Sequence, residues 1–177
     1  MLLVYFVIGA IPIGYLMGGR LGNCLKAPLK FLWLPCIALM IEAAFGPITE
    51  LIPLPPSAWL RFAVCAEYFA LFLFTWFNRK QRGMKLLSLS TLTNFVVISA
   101  NGFRMPVTPL IHDNPHLAHF VERIQSGALP EYVLVDWDAP FWYLGDTIAI
   151  FGGLASVGDF LMAAAMLVII VSLMKTK

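Results

Sequence analysis

Four long apolar runs organise the chain, at residues 1–18, 30–46, 57–77 and 154–174, each interrupted only by isolated polar positions. A fifth run, 86–100, reads LLSLSTLTNFVVISA, and its hydroxyl and amide groups predict a helix turned toward other helices more than toward hydrocarbon. A helix needs about 20 apolar residues to cross a bilayer, and the runs approach that length. The pattern predicts an all-α protein, a polytopic membrane helix bundle of about five transmembrane helices in a single domain, 1–177. Gly18-Gly19 should close the first helix and Gly46-Pro47 the second, while PLPP at 53–56 should make an extended turn before Ser57 caps the third. The first run has no basic residues ahead of it and continues to Met17, so it reads as a retained helix and not a cleaved signal.

Residues 103–141 are too long for a plain connection and should form an external segment roofing the bundle. Within it, Asn114 suits an N-cap, Pro115 the first helical position and Gly127 the stop. Leu117, Phe120, Val121 and Ile124 form the apolar face of this short amphipathic helix. YVLVDWD, from residue 132, reads as a short extended strand lying flat on the bundle mouth, after which Pro140 turns the chain back. FWYLGDTIAIFG, 141–152, is too short to span and reads as a re-entrant or interfacial half-helix broken by Gly152-Gly153.

Composition strengthens the membrane reading: 60% of the 177 residues are apolar, 12% are charged and the mean hydropathy is +0.82. Soluble domains are about 25% charged. The net charge of +2 offers no surface for nucleic acid, and the placement of the charges says more than their sum. Arg20, Lys26 and Lys30 occupy the first connection, Arg79, Lys80, Arg82 and Lys85 the third, and Lys175 and Lys177 the tail. Glu50 lies in the second connection, and Asp113, Glu122, Glu131, Asp136 and Asp138 in the fourth. By the positive-inside rule the N-terminus lies outside and the C-terminus in the cytoplasm. Trp59, Trp76, Trp137 and Trp142 fall near the expected boundaries, as interfacial anchors should. Cys24, Cys36 and Cys65 lack metal-type spacing and read as small apolar residues, and no motif calls for a cofactor.

A few polar groups fall inside the runs or at their outer ends, where ionisable residues cost about 2.5–3.5 kcal/mol to insert. Glu42, Arg61, Glu67, Asn94, Asn101, Arg104, Asp146 and Asp159 are candidate ligand-binding residues of a polar pocket opening outward, with Glu67 deepest. Ser90, Asn94 and Asn101 make a polar stripe on the fourth helix. A plainer account pairs Arg61 or Arg104 with Glu42 or Asp159 as a strut. Asp146 could instead cap the half-helix, and Ser156 with Asp159 has the spacing of a capping box. His112, His116 and His119, with Asp113 and Glu122, suggest a metal site, but the i, i+3, i+6 spacing of His116, His119 and Glu122 is also that of a solvated helix face.

NFVVISANGFRMPV at 94–107, LGDTI at 144–148 and ASVGDFLM at 155–162, with RLGN at 20–23, resemble an uncharacterised family of small bacterial integral membrane proteins, a domain of unknown function. The family pattern has a second Gly after Asn-Gly, where this chain has Phe103. The resemblance implies a bacterial source and the inner membrane, and it points to Asn101, Gly102, Met105, Pro106, Gly145, Asp146, Gly158 and Asp159.

Three functions compete. The first is non-enzymatic binding of a small ligand, ion or lipid from the outer face, as a sensor or transport component. The second is an accessory or scaffolding subunit of a larger membrane complex, for which Gly9, Gly14 and Gly18, and Ala155 with Ala163 to Ala165, offer close helix approach. The third is an intramembrane enzyme; the two Gly-Asp pairs are similar to those of GxGD aspartyl proteases, but Tyr143-Leu144-Gly145-Asp146 lacks the first Gly. The absence of internal repeats weighs against a secondary transporter.

Overall fold

The computed structural model describes residues 2–51, 56–112, 114–150 and 153–176, without the side chains of 42, 44–51, 56 and 57. Five long helices form where the apolar runs lie: α1 (Leu2–Leu16), α2 (Trp33–Leu51), α3 (Pro56–Phe77), α4 (Met84–Ala100) and, at the end of the chain, α7 (Val157–Met174). Stretches within Ala58–Phe77 and Val157–Met174 are long and apolar enough to cross a membrane, whereas α1 and α4 are apolar but shorter. Between α4 and α7 lie β1 (Met105–Val107), α5 (Pro109–His112), α6 (Ala118–Gln125), β2 (Tyr132–Leu134), β3 (Ile148–Ile150) and β4 (Gly153–Ala155). The protein is thus mostly helical but not all-α.

Each long helix packs on its neighbour in the order α1, α7, α4, α3, α2. Small residues make the closest of these contacts. Ala10 of α1 and Ala163 and Ala165 of α7 are fully buried, and Gly14 lies against the Met174 side chain. The basic connections gather at one end. The Arg20 N–H donates to the Met174 carbonyl at 2.8 Å, and Asn78 clamps Lys30 by accepting its N–H at 2.8 Å and donating Nδ2 to its carbonyl at 2.9 Å. The acidic residues 122, 131, 136 and 138 belong to the layer at the opposite end, hereafter the cap.

The cap is built much as its sequence suggests. Asn114 accepts the His116 N–H at 3.0 Å, Pro115 opens a 3₁₀ turn running into α6, and α6 stops at Gly127. There the Gly127 N–H bonds Ile124 and the Ala128 N–H bonds Arg123, which satisfies the last carbonyls of the helix. Leu117, Val121 and Ile124 bury that face against Val107 and Ile111, with Phe120 beside them. The strand expected from residue 132 is β2, which pairs in parallel with β1 from Met105↔Tyr132 to Val107↔Leu134.

Three expectations need correction. Gly46-Pro47 does not end α2, which continues to Leu51; a proline removes one helical hydrogen bond without forcing the chain to stop. Ser57 does not cap α3, because Pro56 already takes the first helical position, where its missing N–H costs nothing. Residues 141–150 are not a half-helix. A 3₁₀ turn at Trp142–Leu144 leads into β3, antiparallel to β4 with Ile148 opposite Ala155. Thr147, Ile148 and Ile150 are β-branched and favour the extended chain; residues 151–152 lie outside the described residues.

Candidate functional site

The site forms where α4 and α7 cross and the cap meets both. Ser156 precedes α7, and its Oγ accepts the Asp159 N–H at 3.1 Å while Asp159 Oδ2 accepts the Ser156 N–H at 2.9 Å, completing the capping box. The same two residues reach across to α4. Ser156 Oγ donates to Asn94 Oδ1 at 3.1 Å, and Asn94 Nδ2 donates to Asp159 Oδ1 at 3.2 Å. One turn toward the basic end, Ser90 Oγ donates to the Gly158 carbonyl at 2.8 Å. Gly158 is required by this approach, since a Cβ there would overlap the Asn94 carboxamide. Asn94, Ser90 and Ser156 are buried, and Asp159 is half-buried.

The cap supplies the second carboxyl. Gly145 passes so close to β1 that a Cβ would sit 2.5 Å from the Pro106 carbonyl oxygen. The next N–H, that of Asp146, donates to that oxygen at 2.9 Å, and Asp146 forms a parallel bridge with Val107. Pro106 lacks an N–H, so its carbonyl is what it can offer on this edge. The Asp146 side chain is only 4% exposed, and its Oδ1 has no hydrogen-bond partner among the described residues. Burial, and next the negative charge of Asp159, push its carboxyl up from 3.8 to about 7. Thr108 is also buried, and its Oγ1 has no hydrogen-bond partner among the described residues.

Asn101 ties the cap to α4, because its Nδ2 donates both to the Val97 carbonyl at 2.8 Å and to the Pro140 carbonyl at 2.9 Å. Two residues on, Phe103 occupies the left-handed region at φ +65°, and its N–H closes onto Ile98 at 2.9 Å. A glycine at this position would hold that conformation without steric cost.

Arg61 is exposed on α3, with its guanidinium carbon 5.7 Å from the Phe103 ring centre, and Arg104 is half-buried just before β1. Among the described residues neither arginine forms an ion pair with Asp146 or Asp159, so the strut expected between Arg61 or Arg104 and Asp159 is not formed. Glu67 is half-buried along α3 and engaged with a neighbour. The Glu42 side chain lies outside the described residues. Asp146 does not cap a helix, because it follows the 3₁₀ turn and enters a strand bridge. His119 and Glu122 face each other at 3.8 Å on the exposed side of α6, the His112 ring nitrogen Nε2 lies 3.1 Å from the Val107 carbonyl, and Asp113 is outside the described residues. Among the described residues no three His, Cys, Asp or Glu side chains come together to hold a metal ion. Thr108 carries no motif, so its place beside Asp146 was not legible from sequence.

No curated protein and no solved structure matches the sequence. A family model described as a family of unknown function (DUF5317) matches residues 26–171, a span that takes in Asn94, Asn101, Asp146, Ser156, Gly158 and Asp159. By that match, over most of its length, the chain belongs to the DUF5317 family.

Proposed function

We propose that the chain is a five-span bacterial inner-membrane protein, N-terminus outside and C-terminus in the cytoplasm, that binds a small cation from the outer face at Asp146 and Asp159. The single observation that carries the binding reading is the buried Asp146 carboxyl, with one oxygen unpartnered among the described residues and the negative charge of Asp159 acting on it. Two negative charges at one site are costly until a cation neutralises one of them. A proton competes for the same oxygens. The membrane reading rests on the exposed apolar side chains along the long helices, among them Ile8, Leu16, Leu39, Met40, Phe62 and Phe69, and on the separation of basic connections from the acidic cap.

Hydrolysis by an aspartate pair is the competing reading, favoured by the influence of the Asp159 charge on Asp146. Both Asp159 oxygens already accept hydrogen bonds, from Asn94 and from the Ser156 backbone. That fixes Asp159 as an orienting and charge-supplying group and leaves little of it to activate a water. Of the small residues behind the scaffolding reading, Gly14, Ala155, Ala163 and Ala165 are packed inside this chain, whereas Gly9 and Gly18 have open space beside them.

The test is thermal unfolding of the purified protein in detergent at pH 8 with NaCl, KCl, MgCl2 or CaCl2 at matched ionic strength. One cation should raise the midpoint, with apparent affinity falling about tenfold per pH unit below 7. Asp146→Asn should abolish the effect. Equal responses to all four salts, or a response surviving in the variant, would overturn the reading. Single cysteines placed at Asp138 and Lys80 in a cysteine-free background test the topology: an impermeant thiol reagent added to intact cells should label the first alone.

A further inference from the structure

A groove of about 580 Å³ runs between α3 and α4 at the basic end, remote from the aspartates. Its walls are Phe72 and Leu73 of α3 and Met84 of α4, and its rim carries Trp76, Arg79 and Lys85. Arg79 is held in place: its guanidinium carbon lies 4.7 Å from the Trp76 ring centre, and Nη1 donates to the Trp76 carbonyl at 3.0 Å. Lys85 is exposed in the first turn of α4, which has no acidic residue and no side-chain cap. The connection between the helices adds Lys80 and Arg82, so four cations fall within 79–85 without an acid.

We infer that this groove binds one anionic phospholipid of the cytoplasmic leaflet, its phosphate between Arg79 and Lys85 and part of one acyl chain along Phe72, Leu73 and Met84. The inference rests on the five-span reading, which puts this end in the cytoplasmic leaflet. Charge complementarity selects the occupant. A zwitterionic lipid would leave the cations unneutralised, whereas an anionic headgroup is attracted by each nearby basic residue. Length fits as well. Phe72 to Phe77 rises about 8 Å along the helix, with Arg79 in the turn just beyond, which is about half of the about 15 Å depth of one leaflet. Exposed Trp76 lies at the level where aromatic rings collect beside headgroups. The cations therefore hold a specific lipid in addition to any effect on orientation.

The experiment is thermal unfolding in detergent with phosphatidylglycerol or phosphatidylcholine of identical acyl chains, and with soluble glycerol phosphate. Phosphatidylglycerol alone should raise the midpoint, and native mass spectrometry should retain one such lipid per chain. Arg79→Gln with Lys85→Gln should weaken the apparent affinity by on the order of tenfold or more. Lys175→Gln, at the same end but outside the groove, should leave it unchanged. Equal shifts with both lipids, an equal shift with glycerol phosphate, or retention of the preference in the double variant would overturn the inference. Alkaline carbonate extraction separates this from failure of the membrane reading: a chain released by carbonate does not span, while one retained without lipid preference refutes only the lipid site.

Discussion

Replacing Asp146 by Asn should remove the fall in stability with rising pH that its carboxyl causes. The Asp146 carboxyl titrates at about 7 in the folded chain against 3.8 for the free group, chiefly because of its burial and next because of Asp159. Between those values the folded state holds a proton that the unfolded state has released. Stability therefore falls as pH rises through this interval, and the loss is complete above 7. At about 1.4 kcal/mol per pH unit the whole interval is worth roughly 4 kcal/mol. Asn keeps the shape and cannot ionise, but its NH2 needs a partner, and a buried donor without one costs about 1–3 kcal/mol. The variant should be more stable than the parent at pH 8 by roughly 1–3 kcal/mol, and this advantage should shrink to about zero near pH 5, where the parent has lost only about 1.7 kcal/mol, so the two curves converge as pH falls. Thermal melts from pH 4.5 to 8.5 read this directly, since 1 kcal/mol moves the midpoint of a chain this size by about 2–4 °C. A parental curve that is flat or rising over the interval, or a variant curve parallel to it, would refute the reasoning.

Other substitutions probe the rest of the junction. Gly158→Ala should cost about 1–3 kcal/mol by forcing the Asn94 carboxamide aside, and Asn94→Ala in the same chain should recover part of that loss in a double-mutant cycle. Ser156→Ala removes both the cap of α7 and the bond to Asn94, so unfolding should become easier by about 1–2 kcal/mol, with faster amide exchange in the first turn of α7. Asp159→Asn should move the Asp146 transition toward lower pH, because one of its two causes is removed; titration followed by carboxyl infrared bands reads the midpoint. At position 103, Val should be less stable than Gly by about 1–2 kcal/mol in thermal melts, because a β-branched residue resists the left-handed backbone that Phe103 adopts.

The long helices were legible because their apolar runs are long and because connections mark their ends in charge. The amphipathic α6 was legible for the opposite reason: Asn114, Pro115 and Gly127 are local signals, and the bonds they make lie within a few residues. What failed was whatever depends on partners distant in sequence. Residues 141–150 are apolar enough for a helix, and it is the approach of Gly145 to Pro106, nearly 40 positions earlier, that sets Asp146 beside β1, while 148–150 pair with β4. The same holds for the site. Depth along the helices grouped eight polar residues, but depth carries no information about direction around a helix axis. Arg61 shares the level of the cluster yet lies over Phe103, while Asn94 is turned to Ser156 and Asp159. Thr108, with no motif and no periodicity to mark it, could be found only from its burial beside β1.

The division of labour between the two aspartates bears on how occupancy could reach the rest of the molecule. Asp159 is held by α7's own cap and by Asn94, so its charge is fixed to the bundle. Asp146 belongs to the cap layer and enters the same space through the Pro106 contact. Their mutual repulsion therefore acts between two layers, not within one. With Asp146 ionised and no cation present, the repulsion works against docking of the cap onto α4 and α7; a proton or a metal ion removes it. Part of the roughly 4 kcal/mol by which burial and Asp159 disfavour the ionised form is then available to couple binding to cap docking. Asn101, which joins α4 to the Pro140 carbonyl without any charge, holds the layers together in either state. On the proposed reading the expected consequence is local: amide exchange across β1 and Asp146 should slow when the stabilising cation is added at pH 8, while exchange in α3 and at the basic end should not change.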